Sequence, residues 1–442
     1  MDRNKRKPSN KGKFVLLQIA SFALTIAVIS IIGLIIPLRP KESVSEKRKL
    51  AEFPKITFES LKSGDFFDGF NTWYSDSYPG REGLVALNSK IKSYYGIKSL
   101  KDDTVKIHGD VQKGDDIPDE YDPNAAVTEN STSSEENYDK IDANGDSQSI
   151  GAVFVVGNRA FEYYNFSQAQ ANNYILSMNK LADKLSGKAK IYDMIVPTSI
   201  GITLPDSYMG NINSSDQGKA IEYINSGLNG QIVKVPIFKT LMSHRSEYIY
   251  FNTDHHWTQL GAYYAYCDFA KAAGITANPL DKYEKVEFDG FLGTFYNDTG
   301  KIPELKSNPD TIYAYKPNSS AKMVYTDAKG QQNPWPIVND VSKYPESIKY
   351  SCFIAGDNPY TEIHNPQITD GSSIMVVKES FGNALVPFLV ENYENVYIID
   401  YRHFTGSISK IITDKKIDTV LYINNVSAIR NPNLMKKLDA TL

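Results

Sequence analysis

The chain has 442 residues, enough for one large domain or two ordinary ones. Its formal net charge is only −4 with 23% of residues charged, which argues against a nucleic-acid binder, since such proteins usually carry a strong basic surplus. Two cysteines, Cys267 and Cys352, are too few for a disulfide scaffold; they either pair or stay as buried thiols, and Cys267, set in an apolar helical pattern, favours the buried thiol.

Residues 1–13 form a basic head with Arg3, Lys5, Arg6, Lys7, Lys11 and Lys13. Phe14 to Leu38 then runs 25 residues without a formal charge. That length crosses a bilayer as a helix, whereas a signal-peptide core is usually shorter. The run ends in "IIPLRPKES" without an A-x-A cleavage site, so it reads as an uncleaved signal anchor. A cleaved signal peptide is the alternative. The basic head is expected to stay in the cytoplasm, which places everything after Arg39 outside.

Residues 39–100 read as an N-terminal helical segment. Aromatic and aliphatic residues recur at helical spacing on both sides of Pro79-Gly80, predicting two short helices with a turn between them. Residues 101–149 hold 14 acidic residues against 4 lysines. Such a composition cannot offset ordering entropy and predicts a flexible acidic insert. "DANGD" at 142–146 lacks the glutamate and flanking helices of a calcium loop.

From residue 150 to 442 the pattern changes to apolar runs alternating with amphipathic stretches. "GAVFVVG", "AKIYDMIVP", "GQIVKVPI", "SIMVVKES", "NVYIID" and "DTVLYIN" predict buried strands. Helices are predicted from Ser167 to about Leu185, over "GKAIEYINSGL", from Thr258 to Gly274, over "FGNALVPFLVEN" and over "GSISKIIT". The alternation predicts an α/β domain with a mostly parallel sheet covered on both faces. Residues 281–350 break the rhythm and read as an insertion over one edge of the sheet.

Sites in open α/β sheets form at the carboxyl ends of strands. Ser380 stands at such a place, between the strand "IMVVK" and the helix "FGNALVPFL", although a plain helix cap explains a serine there as well. The stretch "NTDHHWT" at 252–258 supplies a base and an orienting carboxylate for a serine hydroxyl. Residues two apart in an extended segment point to one side, which selects Asp254 and His256 and points His255 away. Trp257 is expected to fix the loop. The alternatives are a helix-start charge beside surface histidines, or a metal site using Asp254 and one histidine. No HExxH or CxxC spacing accompanies that last reading. Candidate oxyanion or substrate groups are Asn383, one turn into the helix, the turn Gly356 to Asn358, and Arg402, which follows Asp400 at the end of another strand.

"DHHWTQLGAYYAY", with the later "ESFGNALVPFL" and "YIIDYR", resembles the DHHW protein family, which is similar to the alginate O-acetyltransferase proteins of the SGNH-hydrolase-like superfamily. The resemblance covers about residues 45–100 and 150–430. It implies a three-layer α/β/α fold and an Asp-His-Ser triad mapping onto Asp254, His256 and Ser380. It further implies O-acetylation of a cell-surface polysaccharide through an acyl-enzyme. An acetyl esterase and a catalytically silent glycan-binding scaffold are the alternatives. Acetyl groups would come from a membrane-bound O-acyltransferase partner, and no cofactor or metal is called for. Many relatives carry Asp or Thr before the serine. Glu379 stands there in this chain and is expected to crowd or disfavour an acyl oxyanion.

Overall fold

The computed structural model describes residues 48–80, 106–108, 113–121, 152–209 and 214–442, together with Ser21, Leu24, Glu42, Ser43, Val111 and Ile212. The anchor expected at Phe14–Leu38, the region after Pro79-Gly80 and the "DANGD" stretch lie outside these residues, apart from Ser21 and Leu24. Among the described residues no helix is long and apolar enough to cross a membrane. The chain divides into two compact units, residues 1–95 with 137–147, and residues 96–136 with 148–442.

In the first unit a short antiparallel pair, β1 (Glu42–Ser43) and β2 (Arg48–Lys49), precedes two helices, Phe58–Ser63 and Asp65–Asp76. Thr57 and Ser60 form a reciprocal capping box at the first helix. The break between the helices comes at Gly64, whose φ of 94° suits glycine, and both helices precede Pro79-Gly80.

The second unit opens with a three-stranded antiparallel sheet of β3 (Lys106–His108), β4 (Val153–Val156) and β5 (Arg159–Glu162). The "GAVFVVG" strand therefore belongs to this small sheet and not to the parallel one. The expected flexible run over 101–149 also needs correction at two places. Lys106–His108 pairs with β4. Residues 113–121 are pinned by Asp115 N–H to Phe166 O (2.8 Å), Gln168 N–H to the Asp115 carboxylate (2.9 Å) and Tyr121 N–H to Ser226 Oγ (3.1 Å). Local composition does not register these partners, which come from residues 153–226.

The large sheet has eight strands. In chain order they are β6 (Lys190–Val196), β7 (Ile232–Lys234), β10 (Lys322–Thr326), β11 (Gln332–Trp335), β12 (Tyr360–His364), β13 (Ser373–Lys378), β14 (Asn395–Asp400) and β15 (Thr419–Asn425); β8 (Glu284–Phe291) and β9 (Asp310–Lys316) form a separate hairpin. The order across the sheet is β11-β10-β12-β14-β13-β15-β6-β7. The last five strands pair in parallel, and the three pairings at the other end are antiparallel. The sheet is thus parallel over most of its width, with an antiparallel extension at one edge. The short link between β10 and β11 allows a hairpin but is too short for a parallel crossover. The segment expected to lie over one sheet edge therefore extends the sheet by two strands.

Successive side chains of the parallel strands point to opposite faces. Met194, Val376, Ile398 and Ile423 pack against the helices Ile237–Ser243, Gln259–Ala273 and Gly382–Leu389. Ile195, Val377, Ile399 and Tyr422 pack against Gln168–Leu185, Gln217–Gly227, Ile408–Lys415 and the two C-terminal helices. Near-continuous apolar strands are the signature of such double coverage. Cys267 and Cys352 are free thiols, the first half-buried and the second buried.

Candidate active site

β13 runs through the parallel part between β14 and β15, and Ser380 follows its carboxyl end, where the helix Gly382–Leu389 begins. The helix starts so close to its own strand that a Cβ on Gly382 would lie 2.6 Å from the Lys378 Cβ. The helix's positive end consequently lies beside the serine.

Residues 250–257 form a tight loop closed by an antiparallel bridge between Tyr250 and Trp257. Asp310, at the start of β9, braces it. Its buried carboxylate accepts Asn252 N–H (2.9 Å), Thr253 N–H (2.7 Å), Thr253 Oγ1 (2.6 Å) and Tyr248 OH (2.5 Å). The small sheet adds one tie, from Ala160 N–H to Asn252 O at 2.9 Å.

Asp254, His256 and Ser380 come together. His256 Nδ1 lies 2.6 Å from Asp254 Oδ1, and its Nε2 lies 2.7 Å from Ser380 Oγ. With Nδ1–H donating to the carboxylate, Nε2 accepts the serine hydroxyl. All three side chains are buried. The pairing does not come from extended alternation, as the sequence suggested. Asp254 Oδ1 also accepts the His256 backbone N–H at 3.0 Å. The short aspartate thus folds its own loop into an Asx turn and meets the ring at the same oxygen. The other oxygen, Oδ2, accepts Thr294 N–H (2.8 Å) and Thr294 Oγ1 (3.0 Å). Burial pushes the Asp254 carboxyl up, but the two imidazoles and these hydrogen bonds outweigh it and hold the group below the usual carboxylate range.

Three contacts tie the loop to the serine turn. Trp257 Nε1 donates to Phe381 O at 2.9 Å. The Tyr350 ring stacks on His256 with centroids 4.0 Å apart at 11°, and its hydroxyl donates to Ser380 O at 3.1 Å. Gly293 permits a further close approach, because a Cβ there would lie 2.2 Å from Asp254 Oδ2. Gly293, Thr294, Asp310 and Tyr350 escaped the sequence reading. They stand 39 to 96 positions from Asp254 in ordinary turn and aromatic surroundings, with no local signal.

His255 does not point away. It is buried, 3.8 Å from the His256 ring centroid, and also near Phe295 and Phe381. Asp254, His255 and His256 bring three possible ligand atoms within 4.8 Å of one another. They do not fit a metal ion. Both His256 nitrogens are engaged. His256 Nδ1 faces Asp254 and its Nε2 faces Ser380, which leaves neither nitrogen open to a metal while the relay stands.

The remaining candidates are held in other bonds. Asn383 Nδ2 donates to Asp357 Oδ1 at 2.8 Å, so one of its two N–H groups faces the aspartate. Gly356 N–H closes a turn on Phe353 O at 2.9 Å, and Asn358 Nδ2 bonds Ala355 O at 3.1 Å. Arg402 belongs to a buried ion network. Its Nη2 lies 2.6 Å from Asp400 Oδ2 and 2.9 Å from Asp357 Oδ1, and Lys378 Nζ lies 2.8 Å from Asp400 Oδ2. Although burial pushes both carboxyls up, the guanidinium and ammonium charges hold Asp357 and Asp400 below the usual range. Glu379 does lie beside the nucleophile, with its Oε2 3.3 Å from Ser380 Oγ. Its carboxylate turns to the backbone N–H groups of Phe381 (3.1 Å) and Asn425 (3.2 Å).

The family model described as "DHHW protein" matches residues 46–140 and 120–399. Among solved structures, a DHHW family protein from Eubacterium siraeum DSM 15702 is 28% identical, with a TM-score of 0.60, over 66% of this chain and 95% of that one. Bacillus cereus PatB1, solved with a sulfonyl adduct, is 17% identical with a TM-score of 0.55, over 64% of this chain and 97% of that one. A search of the curated proteins found no match.

Proposed function

The chain belongs to the DHHW protein family, and from that premise we propose that it is a membrane-anchored, extracytoplasmic O-acetyltransferase of a cell-surface polysaccharide, built on an SGNH-hydrolase-like three-layer fold. The observation that carries the reading is the continuous relay Asp254 Oδ1, His256, Ser380 Oγ at 2.6 and 2.7 Å. A serine held this way is an activated nucleophile. Ser380 Oγ attacks the acetyl carbonyl while His256 Nε2 takes its proton. The leaving group recovers that proton as the carbon–oxygen bond breaks, and the acetyl group remains on Ser380. A sugar hydroxyl then attacks, gives its proton to His256 and leaves as the acetyl ester, and His256 returns the proton to Ser380 Oγ. Asp254 holds the ring tautomer and faces the transient imidazolium. The helix end beside Ser380 favours charge on the developing oxyanion.

The uncharged Phe14–Leu38 run supports the anchor, with the family domain outside and a membrane-bound O-acyltransferase partner as acetyl donor. The test uses full-length protein in membranes with that class of donor and a polysaccharide acceptor. Acetyl ester on the glycan, lost in Ser380→Ala, is the expected product. Free acetate without glycan ester would make the protein an esterase instead. The absence of both products would leave a glycan-binding scaffold.

A further inference from the structure

The serine-acyl reading leaves one buried carboxylate at the nucleophile unassigned, and the inference drawn from it rests on that reading. Glu379 is fully buried and immediately precedes Ser380. Its Oε2 accepts Phe381 N–H at 3.1 Å, just past the serine. Its Oε1 accepts Asn425 N–H at 3.2 Å, at the carboxyl end of β15. Asn425 is itself fixed, since its side chain caps the following helix through Ala428 N–H at 2.8 Å. Ser380 Oγ lies 3.3 Å from Glu379 Oε2 but 2.7 Å from His256 Nε2.

We propose that Glu379 is the positioning residue of the serine turn. It straps the turn to β15, which sets Ser380 Oγ toward His256. It also occupies the Phe381 N–H, removing that group from the donors open to an acyl oxyanion. In many serine hydrolases the residue after the nucleophile supplies such a donor. Here the Ser380 backbone N–H takes that place. Reach matters more than charge in this role. Aspartate is one carbon–carbon bond, about 1.5 Å, too short to hold both amides. Glutamine keeps the reach and one accepting oxygen.

The test compares E379Q, E379D and E379A with wild type in the rate of Ser380 labelling by a small fluorophosphonate and in kcat and KM for an acetyl ester. All are measured well below each protein's thermal transition, so that global stability does not enter. The account expects E379A and E379D to label about a hundredfold more slowly, as a misplacement near 1 Å implies. E379Q stays within about tenfold of wild type, and the losses fall on kcat with KM unchanged. The order glutamine above aspartate is the decisive readout, and it survives if E379A fails to fold. Aspartate equal to or better than glutamine would overturn the strap. So would E379A labelling at the wild-type rate. A wild-type protein that neither labels at Ser380 nor turns over an acetyl ester would remove the serine-acyl reading first, and this inference with it.

Discussion

Gly293→Ala should disable the site while leaving the fold in place. Gly293 has a φ of −85°, so alanine adds no left-handed strain. Its Cβ would nevertheless lie 2.2 Å from Asp254 Oδ2, 2.3 Å from the Asp254 Cβ and 2.5 Å from its Cγ. The aspartate must retreat by about 1 Å to reach ordinary contact distance. Overpacking of this kind costs about 1–3 kcal/mol of stability. The same displacement carries the carboxylate away from His256 Nδ1 and breaks the Thr294 contacts, which corresponds to about a hundredfold loss in rate. Fluorophosphonate labelling of Ser380, read beside urea unfolding of the same protein, separates the two effects. Labelling within about threefold of wild type would show that the position of the Asp254 carboxylate does not limit the chemistry, and would refute the reasoning.

Arg402→Ala leaves Asp400 and Asp357 with Lys378 alone in the buried network, and breaking such a pair costs about 3–5 kcal/mol, visible as a lower urea midpoint. Deleting residues 105–121 removes β3 and the tethered 113–121 segment, so thermal unfolding should begin at a clearly lower temperature; an unchanged transition would show that these residues do not stabilise the domain. Burial raises the Asp193 carboxyl to about 7 against the hydrogen bond from Tyr174. Because the folded state then keeps a proton that the unfolded state releases, stability should fall as pH rises from about 4 to about 7, by about 4 kcal/mol from this group. Asp193→Asn should flatten that slope in urea titrations across the window, and a slope unchanged from wild type would contradict the assignment.

The core strands were legible because strands buried on both faces read as unbroken apolar runs. "SIMVVKES", "NVYIID" and "DTVLYIN" became β13, β14 and β15. Partners were less legible. "GAVFVVG" is as apolar as the others, yet β4 pairs with β3 and β5 in an antiparallel sheet, and nothing in an apolar run names its neighbour. At the site, Asp254, His256 and Ser380 were selected by chemistry that the chain can state locally: a base, an orienting acid and a strand-to-helix serine. Side-chain direction could not be selected that way. Asn383 offered an amide one turn from the serine, and only the fold reveals that one of its N–H groups turns to Asp357. His255 was assigned outward by alternation, and the Asx turn at Asp254 cancels that alternation. Thr294 and Tyr350 reach the site from the irregular region 281–350, where no period guides a reading.

The central claim is that Ser380 carries the acyl group through His256. Its most direct test is mass analysis of the peptide containing Ser380, after the protein is mixed with an activated acetyl ester and quenched in acid. The account predicts an acetyl group on Ser380, absent in His256→Ala and Asp254→Asn taken at the same time. Acetylation confined to other residues, or equal acetylation of Ser380 in His256→Ala, would contradict it.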